Sequence, residues 1–280
     1  MNSKGNLLLV PSGGLANRMR SIVSGHVLAK NIRSDLQVIW FKDWGLNAMF
    51  GEIFEPLELI PLREATFIDK LLYDRARKKN FYITALPQKI LFDKVMEEQD
   101  VKPLKLSGFS FEEWARGKNC YMSNYMDFGE FPKSIYKETF MPVKEVNDMI
   151  NDFCNGFSNH TIGLHIRRTD NAISIENSPT QLFIDKVKEE IAEHDETKIF
   201  LATDSNEVKA EFKGIFGNRI ITPEAEASRG DLQGIRGGLA EMYALAATKK
   251  IYGSKGSTYS IMAADIGGIE MQTLEISNLI

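Results

Sequence analysis

Two adjacent arginines stand directly after an apolar run in the second half of the chain. The run HIRRTD, residues 165–170, ends a stretch in which large apolar side chains alternate with other residues at a period of two. That period is typical of a strand and places Arg167 at the strand's carboxyl end. A guanidinium there can form forked hydrogen bonds to phosphate oxygens, with Asp170 to orient it. A structural ion pair between Arg167 and Asp170 fits the pattern equally well, and His165 alone is more typical of a core histidine.

Three further stretches place glycines or hydrogen-bonding side chains between an apolar run and a helical pattern. In residues 200–206, Asp204 or Ser205 is favoured as a helix cap, although the end of a helix that a residue caps also attracts anions. Residues 253–260 supply hydroxyls and amides without the Gly-Lys-Ser/Thr ending of a Walker A loop, and residues 12–18 lack the full GxGxxG fingerprint. Each stretch can be an ordinary turn, and only their shared position favours a ligand site.

The elements around these stretches predict an α/β protein with two lobes. Residues 6–10, the glycine turn, a helical pattern from Leu15 and residues 36–40 form a strand–helix–strand unit. In the second half, strands over 161–166, 198–202, 219–222 and 250–253 alternate with helices over 179–193, 206–216, 239–248 and 259–266, the first capped by Ser178. Such alternation predicts a parallel sheet that binds ligands at the carboxyl ends of its strands. We place the lobes at 1–155 and 156–280, with all four stretches edging a shared cleft. Residues 42–144 show a less regular pattern, which predicts only short elements there.

Composition and charge exclude several classes of protein. The 280 residues carry 34 Lys and Arg against 38 Asp and Glu, a formal charge of −4, so no global cationic field draws the chain to nucleic acid. Cys120 and Cys154 form no CxxC pair and the four histidines show no ligand spacing, which predicts reduced thiols and no metal site. The sequence contains neither a signal peptide nor an integral membrane segment, which predicts a cytoplasmic protein.

Taken together, the blocks resemble the fucosyltransferase superfamily, which includes the bacterial nodulation and core α-1,6-fucosyltransferases, the α-1,2 enzymes and the protein O-fucosyltransferases. The resemblance rests on GGLANR at 13–18, HIRRTD at 165–170, ATD at 202–204, and Glu241 ahead of the serine-rich loop 254–260. It implies a GT-B-like fold of two Rossmann-like lobes with a cleft between them, the first on the acceptor side and the second on the donor side. It also implies an inverting transfer of fucose from GDP-fucose to a glycan or protein-linked hydroxyl, without a metal or other cofactor.

The resemblance implies roles for individual residues. Arg167 corresponds to the arginine that binds the donor phosphates, Asp170 to a structural or sugar-proximal carboxylate, and Glu176 to the catalytic base, although its offset from the arginine block is not identical. Many relatives carry a second acidic residue where this chain has Ser205. Donor contacts are implied for Gly13, Gly14, Asn17, Arg18, His165, Arg168, Thr203, Asp204, Glu241, Ser254, Ser257 and Thr258.

Two other functions fit the same residues. A nucleotide-sugar or glycan-binding protein would keep the donor site and lack the base, whereas a transferase for another nucleotide sugar would keep the chemistry. Release of GDP from GDP-fucose tests the first alternative, and a melting panel of GDP-, UDP- and ADP-sugars tests the second. In such folds variable loops form the acceptor pocket.

Overall fold

The computed structural model describes residues 4–169, 171–224 and 230–276, and the chain forms two compact units. The first unit comprises the chain up to Ile135 together with Thr139–Met141, and the second comprises Tyr136–Glu138 together with the chain from Pro142. Each unit contains one five-stranded sheet in which every strand pairing is parallel. The α/β class with two Rossmann-like units, which the alternating pattern predicts, is confirmed.

The sheet of the first unit has the order β3-β2-β1-β5-β4, with β1 at its centre. Leu7 of β1 lies in register with Leu36 of β2 and with Cys120 of β5, so the carboxyl ends of these three strands meet at one edge. The elements are β1 Asn6–Pro11, α1 Leu15–Ile32, β2 Asp35–Trp40, β3 Leu62–Glu64, α2 Phe67–Leu72, α3 Ala85–Leu91, β4 Lys94–Met96, α4 Glu98–Leu106, α5 Phe111–Ala115 and β5 Asn119–Asn124.

The sheet of the second unit has the order β10-β9-β6-β7-β8, with β6 at its centre. Helix α7 packs against α11 and so belongs with this unit, which places the change of unit before α7 and ahead of residue 155. The elements from the change of unit onwards are α6 Ile135–Thr139, α7 Lys144–Cys154, β6 Thr161–Ile166, α8 Ala172–Asn177, α9 Thr180–Glu193, β7 Lys198–Thr203, α10 Asn206–Phe216, β8 Ile220–Ile221, α11 Leu232–Ala246, β9 Lys250–Ser254, α12 Thr258–Gly267 and β10 Glu270–Leu274.

Strand β6 is buried along its whole length because helices cover both faces of its sheet. Ile162, Leu164 and Ile166 share one hydrophobic cluster with Phe183 and other residues of α9. On the opposite face, a Cβ added at Gly163 would lie 2.8 Å from a methyl of Leu245 in α11. Large side chains therefore face α9, and glycine at 163 allows the close approach of α11 on the other face. This packing fixes β6 in the sheet and so fixes the position of Arg167 at its end.

Two helix starts differ from the sequence prediction. Helix α9 is capped by the backbone of Pro179, because the Ser178 hydroxyl instead accepts a hydrogen bond from the Lys255 amide at 2.9 Å. Helix α11 begins at Leu232, seven residues earlier than predicted, because Asp231 caps it despite the glycines that follow. The region 42–144 contains β3, β4, β5 and the five short helices α2 to α6, which leave little periodicity to detect.

Cys120 and Cys154 are both free thiols, as predicted. No helix in the described part of the chain is long and apolar enough to cross a membrane.

Candidate active site

The predicted chemistry converges where the strand order of the second sheet reverses. Strand β6 lies between β7 and β9, so the segments that follow these three strands meet at the carboxyl edge of the sheet. Those segments contain Arg167, Asp204 and Ser257, respectively. Ligands of open α/β sheets bind at such a reversal. The sequence stretches predicted to share one edge in this half of the chain therefore do so.

Arg167 lies at this edge with its backbone anchored and its side chain partly open to solvent. Its amide donates to the Ser254 hydroxyl oxygen at 3.2 Å, which ties the end of β6 to the end of β9. Its guanidinium Nε lies 3.9 Å from a carboxylate oxygen of Asp204, and 19% of the Arg167 side chain is exposed. The guanidinium is thus held by a carboxylate while it remains within reach of a ligand.

Asp204 fixes the loop after β6. Its carboxylate accepts hydrogen bonds from the Arg168 amide at 2.7 Å, the Thr169 amide at 3.3 Å and the Thr169 hydroxyl at 2.7 Å. Burial opposes ionisation of Asp204, but these bonds and the charge of Arg167 outweigh it and lower the pKa of the carboxyl. The ionised carboxylate therefore holds the backbone of 168–169 and orients the Arg167 guanidinium at once.

The capping role that the sequence left open between Asp204 and Ser205 belongs to Ser205. The Ser205 hydroxyl accepts from the Val208 amide in the first turn of α10. Thr203 is buried, and its hydroxyl oxygen accepts from the Ser205 amide at 3.3 Å, which shapes the same turn. Because Ser205 caps the helix, Asp204 is available to face the β6 loop, and a donor contact by Thr203 stays a prediction.

His165 is a buried neutral residue that organises the loop after β9. Its Nδ1 lies 3.1 Å from the Ser257 hydroxyl, and its ring stacks on Tyr259 with centroids 4.7 Å apart. Burial, and then the charge of Arg167, lower the pKa of His165 to about 4. The histidine therefore adds no positive charge at neutral pH. It contacts the loop after β9 through the hydroxyl of Ser257.

The N-terminus of α12 keeps its first amides uncapped. Ser257 is the N-cap residue, yet its hydroxyl contacts His165 and caps no amide, and no acidic side chain lies in the first turn. Thr258, the first helical residue, is half-buried, and its hydroxyl makes no hydrogen bond within the described part of the chain. Uncapped amides at a helix N-terminus attract anions, and α12 begins beside the β6 loop that carries Arg167.

Glu241 is a nearly fully buried carboxyl on α11. Burial raises its pKa to about 8, and the charge of Lys209 only partly offsets this effect. Burial, followed by the charge of Glu241, also raises the pKa of Tyr259, the residue that stacks on His165. At neutral pH Glu241 is therefore mostly protonated, and a protonated carboxyl can both donate and accept a hydrogen bond.

Arg168 points into the unit. Its guanidinium donates to the Ser178 carbonyl at 2.6 Å, to the Thr180 hydroxyl at 3.1 Å and to the carbonyl of Arg167 at 2.8 Å. These bonds join the β6 loop to the start of α9. We propose that Arg168 positions the loop through these contacts, in place of the donor contact implied by the resemblance.

The two predicted catalytic carboxylates are Asp170 and Glu176. Asp170 lies outside the described residues. Glu176 lies exposed on the six-residue helix α8, and no side chain in the described part of the chain bonds to its carboxylate. The role of Glu176 as base stays a prediction.

The glycine turn of the first unit lies at the corresponding edge of its own sheet. Gly13 has a φ of +78°, and Gly14 is the N-cap of α1, with no side chain capping that helix. Asn17 is half-buried in the first turn. Arg18 is fully buried and donates to the carbonyls of Gly13 and Phe41 and to Asp43. We propose that Arg18 fixes the turn from beneath, which leaves Gly13, Gly14 and Asn17 as the residues able to approach a ligand.

A charged network lies next to this turn, and no pattern in the sequence predicted it. Arg75 donates to Asp43 at 2.5 Å and to Glu98 at 3.0 Å, and the Ser12 hydroxyl donates to the same Glu98 oxygen at 2.5 Å. Glu98 and Asp43 follow the ends of β4 and β2. Like Arg167, they therefore lie at the carboxyl ends of parallel strands, where ligands of open α/β sheets bind. Glu98 could not be found from the sequence pattern, because the three-residue strand β4 before it is too short to show alternation.

No group of three or more histidine, cysteine or acidic residues is arranged to hold a metal ion within residues 4–169, 171–224 and 230–276.

Several solved structures share this fold. The alpha-1,6-fucosyltransferase NodZ soaked with GDP-fucose has a TM-score of 0.64 at 16% identity, over 94% of this chain and 93% of that one. A mutant of Arabidopsis thaliana FUT1 in complex with GDP has a TM-score of 0.66 at 15% identity, over 97% of this chain and 70% of that one. POFUT1 in complex with GDP gives 0.57 at 10% identity, over 97% and 99% of the two chains.

No protein-family model matches the sequence, and no curated protein sequence is significantly similar to it. The likeness to the solved structures therefore establishes the fold, and at that level it confirms the GT-B-like, fucosyltransferase-type architecture implied by the four sequence blocks.

Proposed function

We propose that this protein is a glycosyltransferase that transfers fucose from GDP-fucose to a glycan or protein-linked hydroxyl. The observation that carries the proposal is Arg167 at the strand-order reversal, oriented by Asp204 and next to the uncapped N-terminus of α12. The shared fold supports it, because the structures with that fold include a fucosyltransferase soaked with GDP-fucose and others in complex with GDP. In this proposal the second unit binds the donor, and the first unit supplies the acceptor side.

The arrangement suits a diphosphate leaving group. Transfer breaks the bond between the sugar C1 and a phosphate oxygen, so negative charge grows on the β-phosphate as the bond lengthens. Arg167 can donate two parallel N–H bonds to that phosphate, and the first amides of α12 point at the same edge. Preorganised donors of this kind stabilise charge that develops in the transition state.

Charge neutralisation by Arg167 is compatible with the metal-independent, inverting reaction that we propose. The acceptor hydroxyl then attacks C1 from the face opposite the departing GDP and loses its proton to a carboxylate. Glu176 and Asp170 are the candidates for that base. Glu241, Thr203 and Thr258 are the proposed contacts to the nucleoside end of the donor. Ser254 and Ser257 shape the loop that leads to Thr258.

The test is GDP release from GDP-fucose with and without a mixture of glycan acceptors. We expect Arg167→Lys to lose on the order of 10² in kcat, because an ammonium cannot form the forked pair of bonds. The matched control is Arg219→Lys in the same unit, an arginine that bonds Asp195 instead. The assignment fails if Arg167→Lys turns over within a few-fold of the Arg219→Lys control.

A melting assay separates the alternatives. Stabilisation by GDP and by GDP-fucose, without release of GDP in the presence of any acceptor, would make the protein a nucleotide-sugar binder. Stronger stabilisation by UDP- or ADP-sugars than by GDP-fucose would indicate a transferase for another donor.

A further inference from the structure

Large apolar side chains are exposed in one short stretch of the first unit. Nine of the nineteen exposed large hydrophobic residues in the described chain fall within residues 67–91, which are 25 of the 280 residues. Phe81 is 83% exposed, Phe67 75% and Ile90 73%. We refer to residues 67–91 as the apolar segment. Its members are Phe67, Ile68, Leu71, Phe81, Tyr82, Ile83, Leu86, Ile90 and Leu91. Such a concentration of exposed apolar side chains marks an interaction surface.

The apolar segment is a folded part of the unit. Thr66 caps α2 and shares a capping box with Asp69, which also pairs with Arg63 at 2.6 Å. The Gln88 side chain of α3 donates to the Asp74 carbonyl just after α2 at 2.9 Å, so the two short helices are joined. The exposed side chains are therefore presented from a fixed backbone.

The backbone is strained where it presents the aromatic residues. Phe81 and Tyr82 have φ values of 52° and 56°, in the left-handed region that residues with a Cβ rarely adopt. Both side chains are exposed, so no buried contact of theirs repays this conformation. The amides of Phe81 and Tyr82 donate to the carbonyls of Lys78 and Arg77, both at 3.1 Å, so the turn itself holds the two rings toward solvent.

The charges of the apolar segment are positive where they face solvent. It contains six basic and two acidic residues, a net charge of +4 in a chain whose net charge is −4. Both acids are covered: Asp69 pairs with Arg63, and Asp74 pairs with Arg77 at 3.0 Å. The exposed charged side chains are all lysines, namely Lys70, Lys78, Lys79 and Lys89. The apolar segment thus combines exposed aromatic and aliphatic groups with four exposed lysines and no exposed acid of its own.

We propose that the apolar segment docks the protein on an anionic lipid surface. Exposed aromatic and aliphatic side chains enter the interface between headgroups and acyl chains, and the lysines bind the anionic headgroups. The segment spans only short helices, so it lies on the bilayer and does not cross it. The lysines make a second copy of the same face an unfavourable partner, since like charges would meet. This inference does not rest on the proposed transferase activity.

The test is sedimentation of the whole protein with vesicles. We expect binding to vesicles of phosphatidylcholine mixed with phosphatidylglycerol, because an anionic lipid surface attracts lysine-rich segments. Vesicles of phosphatidylcholine alone should bind far more weakly, and salt should weaken binding to the anionic ones. Absence of binding to the anionic vesicles at low salt would overturn the proposal.

Two double variants separate the apolar contribution to vesicle binding from the electrostatic one. Phe81→Ser with Leu86→Ser, and Lys78→Gln with Lys79→Gln, should each lower the partition coefficient by about tenfold or more. Ile215→Ser and Lys213→Gln are the matched controls, because both residues are exposed on α10 of the other unit. Equal binding by variants and controls would overturn the assignment of this surface.

Self-association is measured in the same samples. Sedimentation velocity without vesicles should give a monomer at all concentrations. A concentration-dependent dimer that Phe81→Ser with Leu86→Ser abolishes, together with no vesicle binding, would assign the surface to a second copy and overturn lipid docking. Circular dichroism and melting temperature check that each variant is folded.

Discussion

Replacing Glu241 by glutamine should change the pH dependence of stability in a defined direction. Burial raises the pKa of Glu241 from 4.5 to about 8. Between these values the unfolded chain has lost the proton and the folded chain keeps it, so the folded state binds more protons than the unfolded state. Stability therefore falls as pH rises through this window.

The magnitude follows from the same two values. Each pH unit above 4.5 lowers the free energy of unfolding by about 1.4 kcal/mol until the folded group titrates near pH 8. The loss at pH 7 is roughly 3 kcal/mol relative to pH 4.5. Glutamine keeps the shape and the hydrogen-bonding groups of the protonated acid, so Glu241→Gln should be the more stable protein at pH 7 and similar to the parent near pH 5.

The assay is urea unfolding followed by circular dichroism at half-unit steps from pH 5 to pH 8. The control is Glu193→Gln, an exposed carboxyl at the end of α9, whose curve should follow the parent. The difference in unfolding free energy between Glu241→Gln and the parent should grow steadily with pH. Parallel curves for these two proteins across the range would refute the protonated state of Glu241.

Two other predictions concern the same unit. Glu190 is buried among His160, Lys250 and Tyr252, whose hydrogen bonds outweigh burial and lower its pKa to about 2. Its pKa is lower in the folded than in the unfolded chain, so the free energy of unfolding should fall by roughly 3 kcal/mol as pH falls from about 4.5 to 2. In Glu190→Gln, the free energy of unfolding should lack this dependence on pH. Gly267→Ala should cost about 2 kcal/mol or more in urea unfolding, because a Cβ there would lie 2.2 Å from a backbone oxygen in α11. The control Gly214→Ala, where nothing lies within 4 Å of the Cβ, should be neutral or stabilising, and equal losses in both variants would contradict the close approach.

The sequence predicted those elements whose pattern is local and long enough to read. The alternation of strand β6, the glycine turn before α1 and the helices α9, α10 and α12 follow from side-chain periodicity over six to eighteen residues. The irregular region 42–144 was not predicted, because two of its three strands have only three residues and its α-helices have five to nine, which carry little periodic signal. The start of α11 was placed too late, since its early glycines resemble a loop and only the Asp231 cap marks the helix.

The sequence by itself determined that Arg167, Asp204 and the serine loop each follow a strand, because the strands and turns that place them are local. It left open which of these residues bind one another, since the order of strands in a parallel sheet depends on contacts between distant parts of the chain. The tertiary structure placed β6 between β7 and β9, which turned Asp204 toward Arg167 and left capping to Ser205. It also buried Arg18 and directed Arg168 inward, because burial and partner choice depend on packing that no local pattern contains.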